Sequence, residues 1–206
     1  MGGRPEPFAD LQEAEDAIWQ MLARATRDRR SAWHTPVLAT VGTDGAPQAR
    51  VLVLRAVDRR ARLLRLHTDV RTAKVDEIRK EPRASLLLYD PGARLQLRAS
   101  GIARIEHVSQ AADTAWSATR LLGRRCYTAP DAPGSTAPGP VSGLPPELES
   151  REPTPEESEA GRPNFAVLLV ELLRLEFLQL AFAGHRRGAF AHDAGTGAWA
   201  GRWLVP

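Results

Sequence analysis

The hydrophobic pattern at the start of the chain has the spacing of a helix. Between residues 11 and 24, apolar positions recur three or four residues apart, at Leu11, Ala14, Ile18, Met21 and Leu22. Asp10 precedes them and Glu13 follows three residues later, which resembles a capping box with aspartate in the place of Ser or Thr. The pattern predicts an amphipathic helix packed on a barrel.

Strand-like runs separated by turn signals follow this helix. The predicted strands cover residues 36–41, 48–57, 62–68, 84–89 and 93–106. Asp44-Gly45 between the first two is a strong hairpin signal, and Pro91-Gly92 predicts a turn between the last two. A short helix at residues 72–81 is stopped by Pro82. Five strands with one inserted helix predict a mainly β fold with flanking helices, an antiparallel barrel.

The second half of the chain is less regular. Residues 109–122 predict a second helix, whereas residues 128–163 are rich in Pro, Gly, Ser and Glu and predict a long, flexible insertion. Periodicity leaves the apolar residues 165–180 open between helix and strand, although residues 175–180 are interpreted as strand. A hairpin through Asp193 to Trp203 ends the chain.

Composition narrows the class of protein. A chain of 206 residues with 43% apolar content fits one globular domain, residues 1–206. The single cysteine, Cys126, excludes an intramolecular disulfide, and there is no cluster of residues at zinc spacing. Since the sequence shows no signal peptide or membrane span, we expect a soluble cytoplasmic protein. The small net charge of +3 favours a small anionic ligand over nucleic acid.

Two cations lie at the predicted start of the helix at residues 72–81. Arg71 and Lys74 flank Thr72 there, although a helix N-terminus already carries partial positive charge. A bound anion would resolve this conflict, so the first-turn amides, the Thr72 hydroxyl and the two cations predict a phosphate site. Solvated cations beside neighbouring carboxylates explain the local sequence equally well.

Two further polar features interrupt apolar strands. Arg50 and Arg55 bracket four apolar residues and point to opposite faces of a regular strand, so they share a ligand only if a bulge intervenes. The alternative is that both are solvated. Gln96 offers a donor and an acceptor to a heteroaromatic ring edge, although an ordinary cross-strand pair is at least as common.

The joint order of these features resembles the pyridoxamine 5′-phosphate oxidase family, closely over residues 37–106 and loosely over most of the chain. The matching segments are Val37-Leu38-Ala39-Thr40-Val41, Asp44-Gly45-x-Pro47-x-x-Arg50-Val51-Leu52-Val53-Leu54-Arg55, His67-Thr68-Asp69 with Lys74, Pro82-Arg83-Ala84-Ser85-Leu86-Leu87, and Gln96 through Gly101.

The resemblance implies an FMN-binding split β-barrel, a homodimer with FMN at the subunit interface. Arg50 and Lys74 would hold the FMN phosphate with support from Thr68, residues 51–54 would run along the isoalloxazine ring, and Gln96 would reach it from the second subunit. The implied cofactor-binding residues are Arg50, Val51, Leu52, Val53, Leu54, Arg55, His67, Thr68, Arg71, Thr72, Lys74 and Gln96.

The chain departs from the family pattern at the flavin. Arg55 replaces a lysine, His67 a tyrosine and Leu178 a tryptophan. Ala73 replaces the arginine before the lysine, and Arg71 is expected to compensate.

The substrate grip differs more. Trp116, Arg120 and Arg124 stand where the oxidase has tyrosine, arginine and serine, and His185-Arg186-Arg187 replaces its Arg-x-His unit. The candidate substrate residues are therefore Trp116, Arg120 and Arg187, and the candidate catalytic residues are Arg55 and His185. For Trp116 a place in the core, and for Arg120 a solvated helix end, are the alternatives.

The sequence therefore predicts an FMN-dependent oxidoreductase related to that oxidase, with an unidentified small-molecule substrate. The oxidase itself and a non-enzymatic flavin-binding protein are the alternatives. A nucleic-acid-binding barrel is disfavoured, because residues 37–99 offer only Tyr89 as an aromatic stacking platform.

Overall fold

A nine-stranded antiparallel sheet organises the fold in the computed structural model, which describes residues 6–206. Its strands are β1 Val37–Val41, β2 Pro47–Val51, β3 Leu54–Asp58, β4 Leu63–Asp69, β5 Arg83–Asp90, β6 Leu95–Glu106, β7 Phe165–Gln179, β8 Arg186–His192 and β9 Trp199–Leu204. The α-helices are α1 Leu11–Ala25, α2 Ala73–Lys80, α3 Gln110–Ser117, α4 Leu121–Arg124 and α5 Pro155–Glu159. Short 3-10 helices cover Ala32–His34, Arg125–Thr128, Pro146–Leu148 and Arg162–Asn164.

The strand order is β2-β1-β5-β6-β7-β4-β3, with β8 paired to β7 and β9 to β8. The mainly antiparallel β class with flanking helices is confirmed. Within residues 6–206 no ladder joins β2 to β3, so the sheet is not closed into the predicted barrel. Its two end strands are nevertheless consecutive in the chain, because only Leu52 and Val53 separate them.

The predicted single strand at residues 48–57 is therefore wrong, since it is two strands. The chain leaves the β1 ladder after Val51, where the Leu52 amide donates to the Pro36 carbonyl at 3.0 Å. It joins the β4 ladder at Leu54, and a register shift follows at Arg55. This break places residues from both halves of the segment beside one cleft.

Helix α1 packs its apolar face against the sheet, as predicted. Its buried side chains are Ala14, Ile18, Trp19, Leu22 and Ala25. The Asp10 carboxylate accepts the Glu13 amide at 2.7 Å, and the Glu13 carboxylate accepts the Ala9 amide at 2.8 Å. The reciprocal cap thus forms one residue earlier than in a standard capping box.

Two other predicted elements change. The predicted helix at residues 109–122 breaks after Ser117, because Arg120 has an extended backbone and begins the short helix α4 as its N-cap. The ambiguous apolar segment is strand throughout, since β7 pairs with β6 along its length and with β4 and β8 on its other edge. Residues 128–163 contain α5 and the 3-10 helix Pro146–Leu148, and their flexibility remains a prediction.

Among the described residues, none of the helices has both the length and the apolarity needed to cross a membrane.

Candidate functional site

Arg50 leaves β2 and meets the buried Glu77 on α2. Its guanidinium donates to a Glu77 carboxylate oxygen at 2.8 Å and to the Thr40 hydroxyl. That hydroxyl in turn donates to the same carboxylate at 2.5 Å. Glu77 therefore fixes Arg50 at the start of α2 and neutralises one of the two cations there.

Lys74 supplies the second cation and lacks such a partner. Its ammonium donates to the hydroxyls of Thr68 at 3.2 Å and Thr72 at 3.0 Å, and it forms no ion pair with any carboxylate in residues 6–206. Burial lowers the pKa of Lys74, and the nearby charge of Arg50 lowers it further. The site is thus preformed for an anion.

The start of α2 offers further donors to the same anion. The Thr72 hydroxyl, at the N-cap position, donates to the Asp69 carbonyl at 2.7 Å and makes no capping bond to the first turn. The Val75 amide donates to the Thr72 carbonyl at 2.9 Å, whereas the amides of Ala73 and Lys74 keep their capacity to bind an oxyanion. The ammonium of Lys74, the guanidinium of the Glu77-paired Arg50 and a helix N-terminus form a donor set that suits a phosphate monoester, so the residues fit the phosphate of FMN.

Arg71 lies beside this site but is committed elsewhere. Its guanidinium binds the Asp69 carboxylate through two nitrogens, at 3.0 and 2.7 Å, which raises the pKa of Arg71. It also donates to the carbonyls of Ala129 and Pro130, each at 3.0 Å. Arg71 thus ties the end of β4 to residues 128–163, and its contact with a ligand phosphate remains a prediction.

The residues predicted to run along the flavin ring bridge the break between β2 and β3. Val51 is 60% exposed, Leu52 and Val53 are half-buried and Leu54 is buried. Neither Leu52 nor Val53 belongs to a ladder, so peptide groups in this stretch other than the Leu52 amide, which donates to the Pro36 carbonyl, are free of sheet pairing. Val53 and the exposed Arg55 open onto a large cavity.

That cavity has a volume of about 710 Å³ and is lined by five arginines and one glutamate. The arginines are Arg27, Arg29, Arg55, Arg65 and Arg120. None of them forms an ion pair with a carboxylate in the part of the chain that the structure describes. The one glutamate, Glu152, already accepts the Leu122 amide at 2.8 Å. The cavity therefore carries a strong excess of positive charge.

His67 lines the same cavity from β4. Its ring stands edge-on to Phe165, with 4.8 Å between centroids, and its buried Nε2 has no partner among the described residues. Burial lowers the pKa of His67 to about 3, with further contributions from Arg55 and Arg65. The imidazole is therefore neutral at physiological pH.

The remaining predicted residues lie in different places. Arg120 lines the cavity, but Trp116 is buried, with its indole N–H on the Glu159 carboxylate at 3.0 Å and its ring against Phe165. Trp116 therefore takes the alternative role of a core aromatic. Gln96 is half-buried on β6, opposite Tyr89 on β5.

The C-terminal candidates, His185 and Arg187, lie outside the cavity lining. Arg187 pairs with Glu176 at 2.7 Å, and Arg98 and Arg174 share the same carboxylate. The His185 ring accepts the Ala181 amide at 3.2 Å on the surface. The structure does not bring His185 to the cavity that Arg55 lines.

Sequence reasoning missed Thr40, Glu77 and Arg65. Glu77 had a signal, since it lies three residues after Lys74 and so on the same face of α2. Arg65 also had one, because it lies two residues before His67 and shares its face of β4. Clusters of His, Cys, Asp and Glu suited to a metal ion are absent from residues 6–206.

Residues 16–107 match the model of the family described as "Pyridoxamine 5′-phosphate oxidase, FMN-binding domain". Among curated proteins, the chain is 28% identical over 152 residues to pyridoxine/pyridoxamine 5′-phosphate oxidase 2 of Arabidopsis thaliana, covering 69% of this chain and 72% of that one. It is 33% identical over 121 residues to the pyridoxine/pyridoxamine 5′-phosphate oxidase of Burkholderia cenocepacia, covering 59% and 51%. The match thus spans about half the length of that bacterial relative.

Solved structures extend the likeness over nearly the whole chain. A pyridoxamine 5′-phosphate oxidase-related, FMN-binding protein from Nostoc punctiforme superposes with a TM-score of 0.72 at 25% identity, covering 93% of this chain and 96% of that one. PhzG from Burkholderia lata, solved in complex with tetrahydrophenazine-1-carboxylic acid, gives a TM-score of 0.67 at 20% identity, covering 99% and 100%. The second likeness concerns the fold alone.

Proposed function

We propose that the chain belongs to the pyridoxamine 5′-phosphate oxidase-like family of FMN-binding proteins, whose FMN-binding domain model it matches over residues 16–107, and that it is an FMN-dependent oxidoreductase acting on an anionic small molecule. The observation that carries the proposal is the preformed phosphate site beside an arginine-lined cavity. Lys74 has no carboxylate partner among residues 6–206, and the cavity opens at Val53, three residues after Arg50. One anion site and one adjoining cavity suit a phosphorylated cofactor and its substrate.

Each part of the site has a distinct task in this proposal. Arg50, Lys74 and Thr68 hold the FMN phosphate, and the peptide groups of residues 51–54 follow the ring. FMN supplies the hydride or electron transfer when it is bound. Arg55, at the junction of ring and cavity, orients an anionic group of the substrate. His67 stays neutral and adds no charge to the cavity.

We propose a homodimer as the active form. The outer face of the sheet exposes Leu87 and Tyr89 on β5, at 41% and 47%, and Gln96 lies beside Tyr89 on the same face. Val51 is also exposed, at the edge of the site. A second copy packed on this apolar face would bring its Gln96 near the flavin ring and its Arg187 or His185 towards the cavity. A cytoplasmic location belongs to the same proposal.

The test combines cofactor retention with reduction of the flavin. Purified protein is expected to absorb at flavin wavelengths, and under anaerobic conditions a panel of anionic donors is expected to bleach that absorbance. The panel includes pyridoxamine 5′-phosphate, whose turnover with peroxide release would identify the oxidase itself. Stable FMN binding without reduction by any donor would instead favour a non-enzymatic flavin protein. Failure to bind FMN at all would refute the proposal.

The Arg55 assignment has its own test in the same assay. Arg55→Gln is expected to retain FMN and to raise KM for the active donor about tenfold, because one charge-assisted contact is lost. Arg60→Gln is a matched control, since Arg60 is exposed, follows the same strand and does not line the cavity.

A further inference from the structure

The arginines of the cavity lie on separate walls. Arg55 comes from β3 and Arg65 from the neighbouring β4, where Arg65 pairs with Ala56 in register. Arg27 and Arg29 come from the segment that follows α1, and they are exposed at the mouth. Arg120, the N-cap of α4, completes the lining. One small anion cannot contact all of these walls at once, because the cavity holds about 710 Å³.

Arg65 is the most buried of these arginines. It is half-buried, and its Nε is buried without a hydrogen-bond partner among the described residues. Burial lowers the pKa of Arg65, as expected for a guanidinium that has left water without gaining a carboxylate. Nothing in residues 6–206 compensates this cost. Arg65 lines the cavity, so an anion bound there beside its guanidinium would offset this cost.

The charge of the cavity exceeds what a single phosphate needs. With five arginines and one glutamate, the lining carries a formal charge of +4. The FMN phosphate does not reduce it, since the proposed phosphate site at Arg50 and Lys74 lies outside the lining. A substrate with one phosphate brings a charge of about −2 and would occupy one wall. Two anionic groups, spaced across the cavity, match both the total charge and its distribution.

We propose that the substrate of this cavity carries two separate anionic groups, one bound by Arg55 and Arg65 and the other by Arg27 and Arg29. The inference rests on the proposed function and adds the substrate class to it. Carboxylates and phosphates can both fill the two positions, since an arginine fork binds either. The pair at the mouth, Arg27 and Arg29, then determines specificity, because it favours molecules with a second anionic group, whereas Arg65 contributes to binding of both kinds.

The test uses FMN-loaded protein and paired probes in a calorimetric titration. Each pair has one compound with two anionic groups and one with a single group: 3-phosphoglycerate against glycerol 3-phosphate, and glutarate against butyrate. We expect the first member of a pair to bind at least tenfold more tightly. The phosphate pair and the carboxylate pair together show which chemistry the cavity prefers. Equal affinities within both pairs would overturn the proposal.

Variants separate the two positions. The double change Arg27→Gln and Arg29→Gln is expected to weaken the two-anion probes about tenfold and to leave the single-anion probes unchanged, whereas Arg65→Gln weakens both kinds. Arg30→Gln is the matched control, since Arg30 is exposed on the same segment but does not line the cavity. An unchanged two-anion affinity in the double variant would contradict the assignment.

Failure of this inference can be told apart from failure of the proposed function. Flavin absorbance is recorded for every variant before titration, and Arg65→Gln is expected to retain FMN because the phosphate site is intact. If the wild-type protein holds no FMN, the oxidoreductase proposal fails, but the same titration on FMN-free protein still decides whether the cavity selects two anionic groups.

Discussion

Replacing Lys74 by methionine is expected to weaken FMN binding without destabilising the FMN-free protein. Lys74 is half-buried beside Arg50, and no carboxylate among residues 6–206 pairs with it. Methionine keeps the length and apolar stem of the side chain and removes the charge. The change therefore isolates the contribution of the ammonium group.

The magnitude follows from the contacts. A hydrogen bond between a charged donor and a phosphate contributes about 1.5–3 kcal/mol, so the Kd for FMN is expected to rise about 10- to 100-fold. In the FMN-free protein, the variant loses the hydrogen bonds from Lys74 to Thr68 and Thr72, which destabilises the fold, but it also removes a charge whose burial costs free energy. These effects are of similar size, so the free energy of unfolding is expected to stay within about 1 kcal/mol of wild type.

The assay is FMN titration followed by flavin or tryptophan fluorescence, with urea unfolding of the FMN-free protein alongside. Lys80→Met is the control, because Lys80 lies on the same helix but is exposed and bonds only to the Thr43 carbonyl. Its Kd for FMN is expected to match wild type. An unchanged Kd in Lys74→Met would refute the phosphate site, and a loss of several kcal/mol of stability would assign Lys74 a structural role instead.

The pH dependence of FMN binding provides a second arm. The folded-state pKa of Lys74 lies below its ordinary value of 10.5, so the FMN-free protein releases this proton before an unfolded chain does. FMN affinity should therefore fall with rising pH before pH 10.5 is reached, because only the protonated amine binds phosphate well. Lys74→Arg should remove that fall, since arginine stays charged. An identical pH profile in both proteins would contradict this explanation.

Three further predictions concern stability and the role of Arg71. The folded-state pKa of His67 is about 3, whereas its ordinary value is 6.5. Below pH 6.5 the unfolded chain therefore binds a proton that the folded protein does not bind, and the free energy of unfolding falls as pH falls towards 3. The substitution His67→Phe should remove this effect, which amounts to roughly 3 kcal/mol in urea unfolding between pH 6.5 and 4. Arg71→Ala should speed proteolysis after Ala129, because the Arg71 guanidinium binds the Ala129 carbonyl in the wild-type protein. The same variant should change the Kd for FMN by less than threefold. A loss of FMN affinity equal to that of Lys74→Met would instead assign Arg71 to the phosphate site. Gly101→Ala should cost about 3 kcal/mol or more in thermal unfolding, because a Cβ there would lie 1.8 Å from a backbone oxygen of β7, while Gly139→Ala, with open space around it, should be neutral.

The sequence predicted correctly those elements that depend on residues close together in the chain. The apolar spacing of α1 and the Asp44-Gly45 hairpin signal were sufficient, because each follows from residues adjacent in sequence. The break at Leu52 and Val53 was not predictable in this way. The apolar run there reads as one strand, and only the competition between the β1 and β4 ladders divides it.

The same limit applies to the site. The conflict of cations at the start of α2 identified Lys74 from local physics, since a helix N-terminus disfavours a cation unless an anion is bound. It could not show that Arg71 would turn to Asp69 and to the carbonyls of residues 129 and 130, which lie far along the chain. Likewise, the family resemblance made Trp116 a substrate candidate, but its ring packs against Phe165 in the core and its indole N–H donates to the Glu159 carboxylate.

The unpaired stretch between β2 and β3 has a consequence for how this scaffold can change over evolutionary time. In the proposed site the peptide groups of residues 52 and 53 contact the flavin, and such contacts do not depend on which side chains these residues carry. The arginines around the neighbouring cavity are free to vary separately, because they belong to other segments. A fold divided in this way can exchange one substrate for another while it keeps the same redox group.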